Sequence, residues 1–278
     1  MAKYEEISVR LPDGYQAYAR YWCGPSPHGA ALYHHGIQSH CGWYETSAAR
    51  LSEAGYAVLQ IDRRGSGRNS PDRGHAESAE QLIEDSLAAR DELRRRSGFE
   101  GYHLVGVSWG GKLVVAAYVH DPTGVRSLSL VTPGLFPKIG VSTGEMAKIG
   151  FAMLYHPLQL FDIPLNDPNL FTTVPRWQEF FRIDEHTLRQ CTAGFYLASR
   201  RMDKITAKLS HAKPVPLHLF IADDERIIDN DKTTTFIREL HWSGGRITTY
   251  PKARHSLEFE GNPEEYFTDL ITFIDEAR

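Results

Sequence analysis

A serine lies between two glycines in the stretch YHLVGVSWGG, where Gly106, Ser108 and Gly110 fall at alternate positions. The apolar run before Ser108 predicts a buried strand, and residues 112–120 after it predict a helix. A serine at a sharp strand-to-helix turn exposes its hydroxyl for nucleophilic attack, and side chains two residues away would collide with the backbone. The spacing therefore predicts acyl transfer to Ser108. The alternative is a serine in a glycine-rich turn that caps the following helix.

Two backbone N–H groups could stabilise the oxyanion that such an attack creates. One belongs to Trp109, at the start of the predicted helix. The other belongs to Ile37, because Gly36 allows a tight turn in the stretch LYHHGIQSHCGWY. The same stretch contains three histidines that could instead bind a metal ion, namely His34, His35 and His40. No carboxylate or cysteine lies at ligand spacing from them, so we expect no metal site.

A histidine and a group of carboxylates follow the last two predicted strands, where a serine nucleophile needs its base and its acid. His255 in YPKARHSLEFEG lies before the closing helix and fits the role of the base, the alternative being a surface histidine. The stretch IADDERIIDND offers several acids: Asp223, Asp224, Glu225, Asp229 and Asp231. A calcium-binding loop is another interpretation, but the central glycine and distal glutamate of such loops are missing.

Strand and helix patterns alternate along the chain. Runs rich in β-forming residues predict strands over 4–11, 15–23, 30–35, 56–61, 102–107, 126–131, 215–221 and 246–250. Helical patterns cover 78–97, 112–120, 231–240 and 264–277. The alternation predicts an α/β fold with a mostly parallel, doubly wound, eight-stranded sheet, whose first two strands form an antiparallel hairpin at one edge.

The segment between the sixth and seventh predicted strands is too long for a single crossover helix. We interpret residues 134–210 as an inserted helical cap over the carboxyl ends of the strands, and residues 1–133 and 211–278 as the core. Helical patterns in the cap cover 144–155, 176–181 and 184–199. The alternative is an ordinary two-helix excursion packed on the sheet. Apolar cap residues are expected either to contact an apolar substrate group or to pack together: Phe151, Leu154 and Phe171.

Composition excludes several classes of protein. The 278 residues include 35 acidic and 31 basic ones, and a net charge of −4 argues against a nucleic-acid partner. Three scattered cysteines and the lack of a signal-peptide pattern at the start favour the reducing cytoplasm. The longest nearly uncharged apolar stretch, 149–161, is too short to cross a bilayer. No cofactor is expected, because GSG at 65–67 lacks the third glycine of a dinucleotide motif.

Together, the stretches GVSWGG, HHGIQ, QIDRRGSGRNS, IADDERIID and RHSLEFE resemble the α/β-hydrolase fold. Within that fold they are most similar to the monoacylglycerol lipase and lysophospholipase group of serine hydrolases, over essentially the whole chain. The resemblance implies cleavage of a small-molecule carboxylic ester with an apolar acyl group, through an acyl-enzyme on Ser108. It implies no cofactor, and transient contact with a lipid surface is compatible with it. This sequence departs from the HG-x-G pattern of the group, because Gln38 stands where the pattern has its second glycine.

The identity of the acid follows from the same resemblance and from the number of loop residues after the seventh predicted strand. The small-x-x-Asp-Arg pattern of the group, laid on AlaAspAspGluArg, places the acid at Glu225. The strand ends near Ile221, and three loop residues are needed to turn the chain before a side chain can reach His255. We therefore predict that Glu225 accepts a hydrogen bond from His255 Nδ1. Asp223 and Asp224 are the alternatives.

The sequence is also compatible with two other functions. Tryptophan after the nucleophile also occurs in proline-specific aminopeptidases of the same fold, whose motif is GxSWG. Such an enzyme needs a cap carboxylate to bind the substrate amine, and the cap offers Glu145, Asp162, Asp167, Glu179, Asp184 and Glu185. A non-catalytic binding protein on this fold is the third hypothesis, although such proteins usually lack part of the triad.

Overall fold

The computed structural model describes residues 3–277 and is built around one large β-sheet. In chain order the strands of these residues are β1 (Tyr4–Arg10), β2 (Gln16–Trp22), β3 (Gly29–His34), β4 (Tyr56–Ile61), β5 (Tyr102–Val107), β6 (Val125–Val131), β7 (Leu160–Asp162), β8 (Gln190–Thr192), β9 (Leu217–Ala222) and β10 (Arg246–Tyr250). All except β7 and β8 belong to the main sheet.

Helices connect most of these strands and end the described chain. They are α1 (Glu45–Glu53), α2 (Ala79–Ser97), α3 (Trp109–His120), α4 (Thr143–Tyr155), α5 (Pro175–Ile183), α6 (Ala193–Thr206), α7 (Asn230–Glu239) and α8 (Glu264–Glu276). Ser78 and Gly98 show why α2 begins and ends where the sequence predicts: the Ser78 side chain accepts from Gln81 N, and Gly98 adopts a left-handed φ of 75°. Across residues 3–277, no helix combines the length and the apolar character that a membrane span requires.

The main sheet has the strand order β1-β2-β4-β3-β5-β6-β9-β10. Strand β2 pairs antiparallel with both β1 and β4, whereas all the other neighbouring strands are parallel. Parallel strands need crossover helices on the sheet faces, and every residue of β4, β5 and β9 is accordingly buried. The predicted α/β fold, with a mostly parallel eight-stranded sheet and an antiparallel edge, is confirmed.

The parallel strands bring distant segments of the chain to one edge of the sheet. Strands β3, β5, β9 and β10 all end at that edge, because their carboxyl ends point the same way. The segments that leave these ends carry Ile37, Ser108, Glu225 and His255 respectively. The topology therefore gathers the residues that the sequence selects for chemistry, as expected for the ligand-binding edge of an open α/β sheet.

Residues 134–210, called the insertion below, contain α4, α5 and α6 together with the antiparallel pair β7 and β8. The prediction of a helix over 184–199 is wrong in its first half, because α6 begins only at Ala193. Asp184 instead accepts a hydrogen bond from Thr187 Oγ1 at 2.9 Å, which bends the chain into a turn before β8. Short polar side chains compete with the helix in this way.

Helix α6 of the insertion packs along α3. Trp109 Nε1 donates to Ser199 Oγ at 2.9 Å, and Lys112 Nζ lies 2.5 Å from Asp203 Oδ1. The ring of Phe195 lies over that of Trp109, with centroids 5.2 Å apart. Residues 195, 199 and 203 recur every four positions, so one face of α6 makes all three contacts.

The insertion also holds the loops that follow β3 and β10. Leu188 N donates to Gln38 O at 2.9 Å in the loop after β3. In the loop after β10, Ser256 N donates to Phe171 O at 2.8 Å. These contacts bind the insertion to three elements at the carboxyl edge of the sheet, and Thr192 N, which donates to Gly74 O at 2.9 Å, binds it to the loop after β4 as well.

Candidate active site

Ser108 occupies the sharp turn between β5 and α3. Its backbone has φ 52° and ψ −123°, a strained conformation that costs about 1–3 kcal/mol for a residue with a side chain. Two hydrogen bonds hold the turn: Ser108 N donates to Val131 O at 2.9 Å, and Gly134 N donates to Ser108 O at 2.7 Å. The turn places the partly exposed Ser108 side chain at the edge of the sheet.

The glycines on either side of Ser108 are required by space, as the sequence predicts. A Cβ on Gly106 would lie 2.6 Å from Gly110 O and 2.7 Å from Val114 Cγ2. A Cβ on Gly110 would lie 2.4 Å from His34 O. The contacted oxygens belong to the backbone and cannot rotate aside as a side chain could, so any side chain at these positions strains the turn.

We expect Gly106→Ala to lower the free energy of unfolding by about 1–3 kcal/mol, because the added methyl group overpacks the turn. Urea unfolding followed by circular dichroism measures the change. Gly150→Ala is the matched control: a Cβ there has open space, and alanine in the middle of α4 should raise stability by about 0.5–1 kcal/mol. A Gly106→Ala protein as stable as the parent would show that the turn is not sterically fixed.

Ile37 and Trp109 line the same cavity as Ser108. The loop after β3 approaches so closely that a Cβ on Gly36 would lie 3.1 Å from Ser108 Cβ. Ile37 N–H makes no hydrogen bond to any of residues 3–277. Trp109 is the first residue of α3, where the helix supplies no partner for its N–H. Both N–H groups are therefore available to a ligand at this end of the cavity.

His255 and Glu225 form a buried pair. His255 Nδ1 lies 3.0 Å from Glu225 Oε1 and 2.9 Å from Oε2, and the two side chains are only 2% and 0% exposed. Glu225 Oε1 also accepts from Ile227 N at 2.7 Å and from Ile228 N at 3.3 Å. Because the carboxylate accepts from Nδ1–H, the proton lies on Nδ1 and Nε2 can act as a base.

The Glu225 carboxylate is stabilised in its charged form. Burial by itself would raise the pKa of Glu225, but the charge of His255, its hydrogen bond, and the N–H groups of Ile227 and Ile228 outweigh burial and lower that pKa. Glu225 is therefore ionised at neutral pH and can stabilise an imidazolium on His255.

The two aspartates before Glu225 point away from His255. Asp224 pairs with Arg226 at 2.9 Å and with Arg254 at 3.2 Å, and Asp223 is exposed. The structure thus places the hydrogen bond to His255 on Glu225.

Ser108 and His255 are held by neighbouring residues at the end of β6. Val131 O accepts from Ser108 N, and Thr132 Oγ1 donates to His255 O at 2.9 Å. Among the described residues, His255 Nε2 is buried without a hydrogen-bond partner, and Ser108 Oγ does not bond to it. Such a contact commonly tightens only when substrate is bound.

A cavity of about 350 Å³ opens onto Ser108, Trp109 and Ile37. Apolar side chains from the core and the insertion form most of its wall: Met146, Ile163, Leu165, Ile227 and Ile228. Its polar end is formed by Lys112, Ser199, Arg200 and Asp203. None of the six carboxylates that the sequence offers for an amine lines the cavity. Asp203 does line it, but Lys112 neutralises that carboxylate.

The three histidines considered for a metal site have other partners. His34 Nε2 lies 2.9 Å from Ser86 Oγ, and His35 Nε2 accepts from Arg63 N at 2.9 Å. His40 Nε2 lies 2.9 Å from Asp184 Oδ2 in the insertion. That pair joins the loop after β3 to the turn before β8.

Sequence reasoning missed two buried charged residues beside the site. Arg63, in the stretch QIDRRGSGRNS, donates to carbonyl groups of the loop after β3. Glu258, three residues after His255, accepts from Ser47 N at 3.0 Å, and burial raises its pKa to about 7. The sequence gives no signal for these contacts, because each depends on residues far away in the chain.

The family described as serine aminopeptidase S33 matches residues 25–262. The chain therefore belongs to this family of α/β-hydrolases. A monoacylglycerol lipase of Mycolicibacterium smegmatis is 31% identical over 258 residues, which cover 89% of this chain and 88% of that relative. A proline iminopeptidase of Xanthomonas citri is 30% identical over 135 residues, and the match spans 48% of this chain but only 40% of that relative.

Solved structures show the same fold. The monoacylglycerol lipase of Paleococcus ferrophilus superposes with a TM-score of 0.85 over 95% of this chain and 100% of its own, at 19% identity. A soluble variant of monoglyceride lipase from Saccharomyces cerevisiae gives a TM-score of 0.82 over 100% and 95%, at 18% identity. The predicted membership of the α/β-hydrolases and the likeness to monoacylglycerol lipases are confirmed.

Proposed function

We propose that the protein is a serine hydrolase that cleaves carboxylic esters through an acyl-enzyme on Ser108. The observation that carries the proposal is the convergence of four groups at one edge of the sheet. The strained turn presents the Ser108 hydroxyl, Ile37 and Trp109 present N–H groups, and the Glu225–His255 pair presents a basic nitrogen. A cavity with mainly apolar walls opens onto the serine.

In the proposed reaction His255 Nε2 removes the proton from Ser108 Oγ as the oxygen attacks the ester carbonyl. The negative charge moves to the carbonyl oxygen, where Ile37 and Trp109 donate to it. Glu225 stabilises the imidazolium, which then gives its proton to the departing alcohol. A water molecule, deprotonated by the same nitrogen, attacks the acyl-enzyme, and the carboxylic acid leaves as Ser108 recovers its proton.

The substrate class that we propose is an ester with an apolar acyl group, such as a monoacylglycerol or a lysophospholipid. Apolar walls around the serine suit an acyl chain, and the polar end with Lys112, Arg200 and Asp203 suits a polar alcohol. The likeness to the Mycolicibacterium smegmatis monoacylglycerol lipase along nearly the whole chain supports this choice.

Aminopeptidase activity is the second candidate, and the partial similarity to proline iminopeptidases favours it. An aminopeptidase needs a carboxylate that is free to bind the substrate amine. Asp203, which lines the cavity, is bound by Lys112 at 2.5 Å, and that ion pair argues for esters. A non-catalytic binding role is not favoured, because all three residues of the proposed triad are present.

Hydrolysis of a series of acyl esters of increasing chain length, together with prolyl and other aminoacyl amides, tests the proposal. We expect turnover of the esters, with kcat/KM rising with chain length, and no turnover of the amides. Faster cleavage of prolyl amides than of any ester would favour the aminopeptidase. Absence of turnover and of labelling by a fluorophosphonate would favour the binding protein.

We further propose that the insertion acts as a cap on a core of residues 1–133 and 211–278, and that it meets lipid aggregates transiently. Large apolar side chains at and after the end of α4 are exposed rather than directed into the cavity: Phe151, Leu154, Tyr155, Leu158 and Leu160. A cytoplasmic location is supported by Cys23, Cys41 and Cys191, all of which are free thiols.

We expect Leu154→Ser to weaken hydrolysis of aggregated long-chain esters by up to roughly tenfold, because the side chain, 75% exposed, would lose apolar contact with the aggregate. Hydrolysis of monomeric acetyl esters should stay unchanged. Assays below and above the critical micelle concentration separate the two cases. Ile183→Ser, at a residue 68% exposed at the end of α5, is the control and should change neither. An equal loss on both substrates would contradict lipid contact.

A further inference from the structure

We propose that Arg63 is a positioning residue that strengthens the Ile37 oxyanion donor by polarising the Gly36–Ile37 peptide group. The inference rests on the proposed esterase mechanism and adds to it a residue outside the triad and the oxyanion hole. Arg63 touches no reacting atom. Its action passes entirely through the backbone of the loop after β3.

The Arg63 guanidinium binds two consecutive carbonyl groups of that loop. Nη1 donates to Gly36 O at 3.2 Å, and Nη2 donates to Ile37 O at 2.9 Å. His35 Nδ1 lies 2.8 Å from Gly36 O, so this one carbonyl oxygen has two neighbouring donors. Gly36 N in turn donates to Ser39 Oγ at 2.8 Å. The tight turn is therefore held on several sides.

The carbonyl of Gly36 and the N–H of Ile37 belong to the same peptide group. Donors that bind the oxygen draw electron density through the amide, so the N–H becomes more positive and binds an anion more strongly. A charged donor has a larger effect than a neutral one. The Ile37 N–H makes no other hydrogen bond within residues 3–277, and Ile37 lines the cavity beside Ser108.

Arg63 also determines which nitrogen of His35 carries a proton. Its backbone N–H donates to His35 Nε2 at 2.9 Å, so Nε2 is the acceptor and the proton lies on Nδ1, facing Gly36 O. Burial holds the pKa of His35 well below its usual range, so the ring is neutral. The backbone N–H of Arg63 is kept in Arg63→Met, so the His35 donor stays in place and only the guanidinium donor on Gly36 O is lost with the Arg63 side chain.

The surroundings of Arg63 are unusual for a buried cation. Its exposure is 6%, and within residues 3–277 no carboxylate lies within 4.0 Å of its guanidinium. The charge lies instead against two rings, with Cζ 4.7 Å from the centroid of Trp109 and 5.0 Å from that of Phe195. The neighbouring Arg64, by contrast, is paired with Asp85 and Asp13.

A buried charge without a carboxylate partner is costly, and this one is held against the loop that carries Ile37. Burial lowers the pKa of Arg63 to about 10, which leaves it charged at neutral pH. The loop that it binds lacks the second glycine of the HG-x-G pattern and has Gln38 instead. Arg63 holds this turn and places a positive charge against the carbonyl side of the Gly36–Ile37 peptide group.

The test uses a trifluoromethyl ketone labelled with ¹³C at the carbonyl, which adds to Ser108 as a hemiketal. The ¹³C shift reports the pKa of the hemiketal hydroxyl and hence the strength of the oxyanion hole. We expect Arg63→Met to raise this pKa by about one unit and to lower kcat on an acetyl ester about tenfold, with KM unchanged. Arg63→Lys keeps the charge but reaches fewer carbonyl groups. Its hemiketal pKa and its kcat should therefore lie between those of the parent and those of Arg63→Met.

Arg90→Met is the matched control, because its guanidinium binds Asp91 and Asp121 rather than this loop. It should leave the hemiketal pKa at the value of the parent. An unchanged hemiketal pKa in Arg63→Met, whatever its thermal stability, would overturn the role proposed for Arg63 and leave the proposed esterase mechanism standing. If Arg63→Met does not fold, the hemiketal pKa of Arg63→Lys is compared with that of the parent instead. A raised pKa supports the role of Arg63, and an unchanged pKa overturns it. Failure of the parent protein to form any adduct would refute the proposed esterase mechanism itself.

Discussion

Ser108→Ala is expected to reduce ester turnover by about 10⁴–10⁶-fold while the fold stays intact, because loss of the nucleophile removes the acyl-enzyme route. The remaining rate would come from the oxyanion donors and from substrate binding. Steady-state assays with an activated acyl ester measure the loss, and a fluorophosphonate followed by peptide mapping identifies the labelled residue. Thermal unfolding of the variant should match that of the parent, because within residues 3–277 Ser108 Oγ makes no hydrogen bond that stabilises the turn.

Ser129→Ala is the control for Ser108→Ala. Ser129 is buried in β6, its hydroxyl has no partner among the described residues, and it belongs to a strand beside the site. This variant should keep full activity and full labelling. Turnover above a few per cent in Ser108→Ala, or a labelled peptide that lacks Ser108, would show that another residue is the nucleophile.

Glu225→Gln is expected to lower kcat by about 10³–10⁴-fold, because the neutral amide no longer stabilises the imidazolium on His255 and can favour the wrong tautomer. Glu225→Asp should recover part of this loss, since the charge returns but the shorter side chain cannot keep the contacts with Ile227 N and Ile228 N. Both effects should appear in kcat, measured with saturating activated ester.

Asp224→Asn separates the buried acid from its half-buried neighbour. Asp224 binds Arg226 and Arg254 at the surface, so its loss should change kcat by less than about twofold and stability by less than about 1 kcal/mol. If Asp224→Asn abolished activity and Glu225→Gln did not, the acid would have to be reassigned.

The sequence predicts the sheet and the residues at its edge because their signals are local. Buried strands are continuous apolar runs, and Gly106 records close contacts with Gly110 and Val114, which lie just after it in the chain. Glu225 could be predicted over Asp223 and Asp224 because the length of the loop after β9 sets which side chain faces His255. The loop hydrogen bonds, from Asp223 N to Tyr250 O and from Asp224 N to Ala253 O, fix that register.

The features that could not be predicted depend on distant residues. Helix α1 gives little apolar periodicity, because several of its buried positions are small or polar, including Ser47, whose hydroxyl and N–H bind Glu258. The turn at Asp184 is fixed by His40 and Trp43, more than 100 residues earlier. Arg63 likewise has no local signal, since the carbonyl groups that it binds lie 26 and 27 residues away.

Three of the attachments of the insertion have a consequence for protein engineering. They contact elements that also carry proposed catalytic groups: α3 beside Ser108, the loop with Ile37, and the loop with His255. A chimera that takes residues 134–210 from a relative would therefore disturb the proposed nucleophile, oxyanion donor and base together. In the proposed esterase, substrate preference and catalytic rate are thus coupled, and exchange of the insertion would require redesign of the core at each of these attachments.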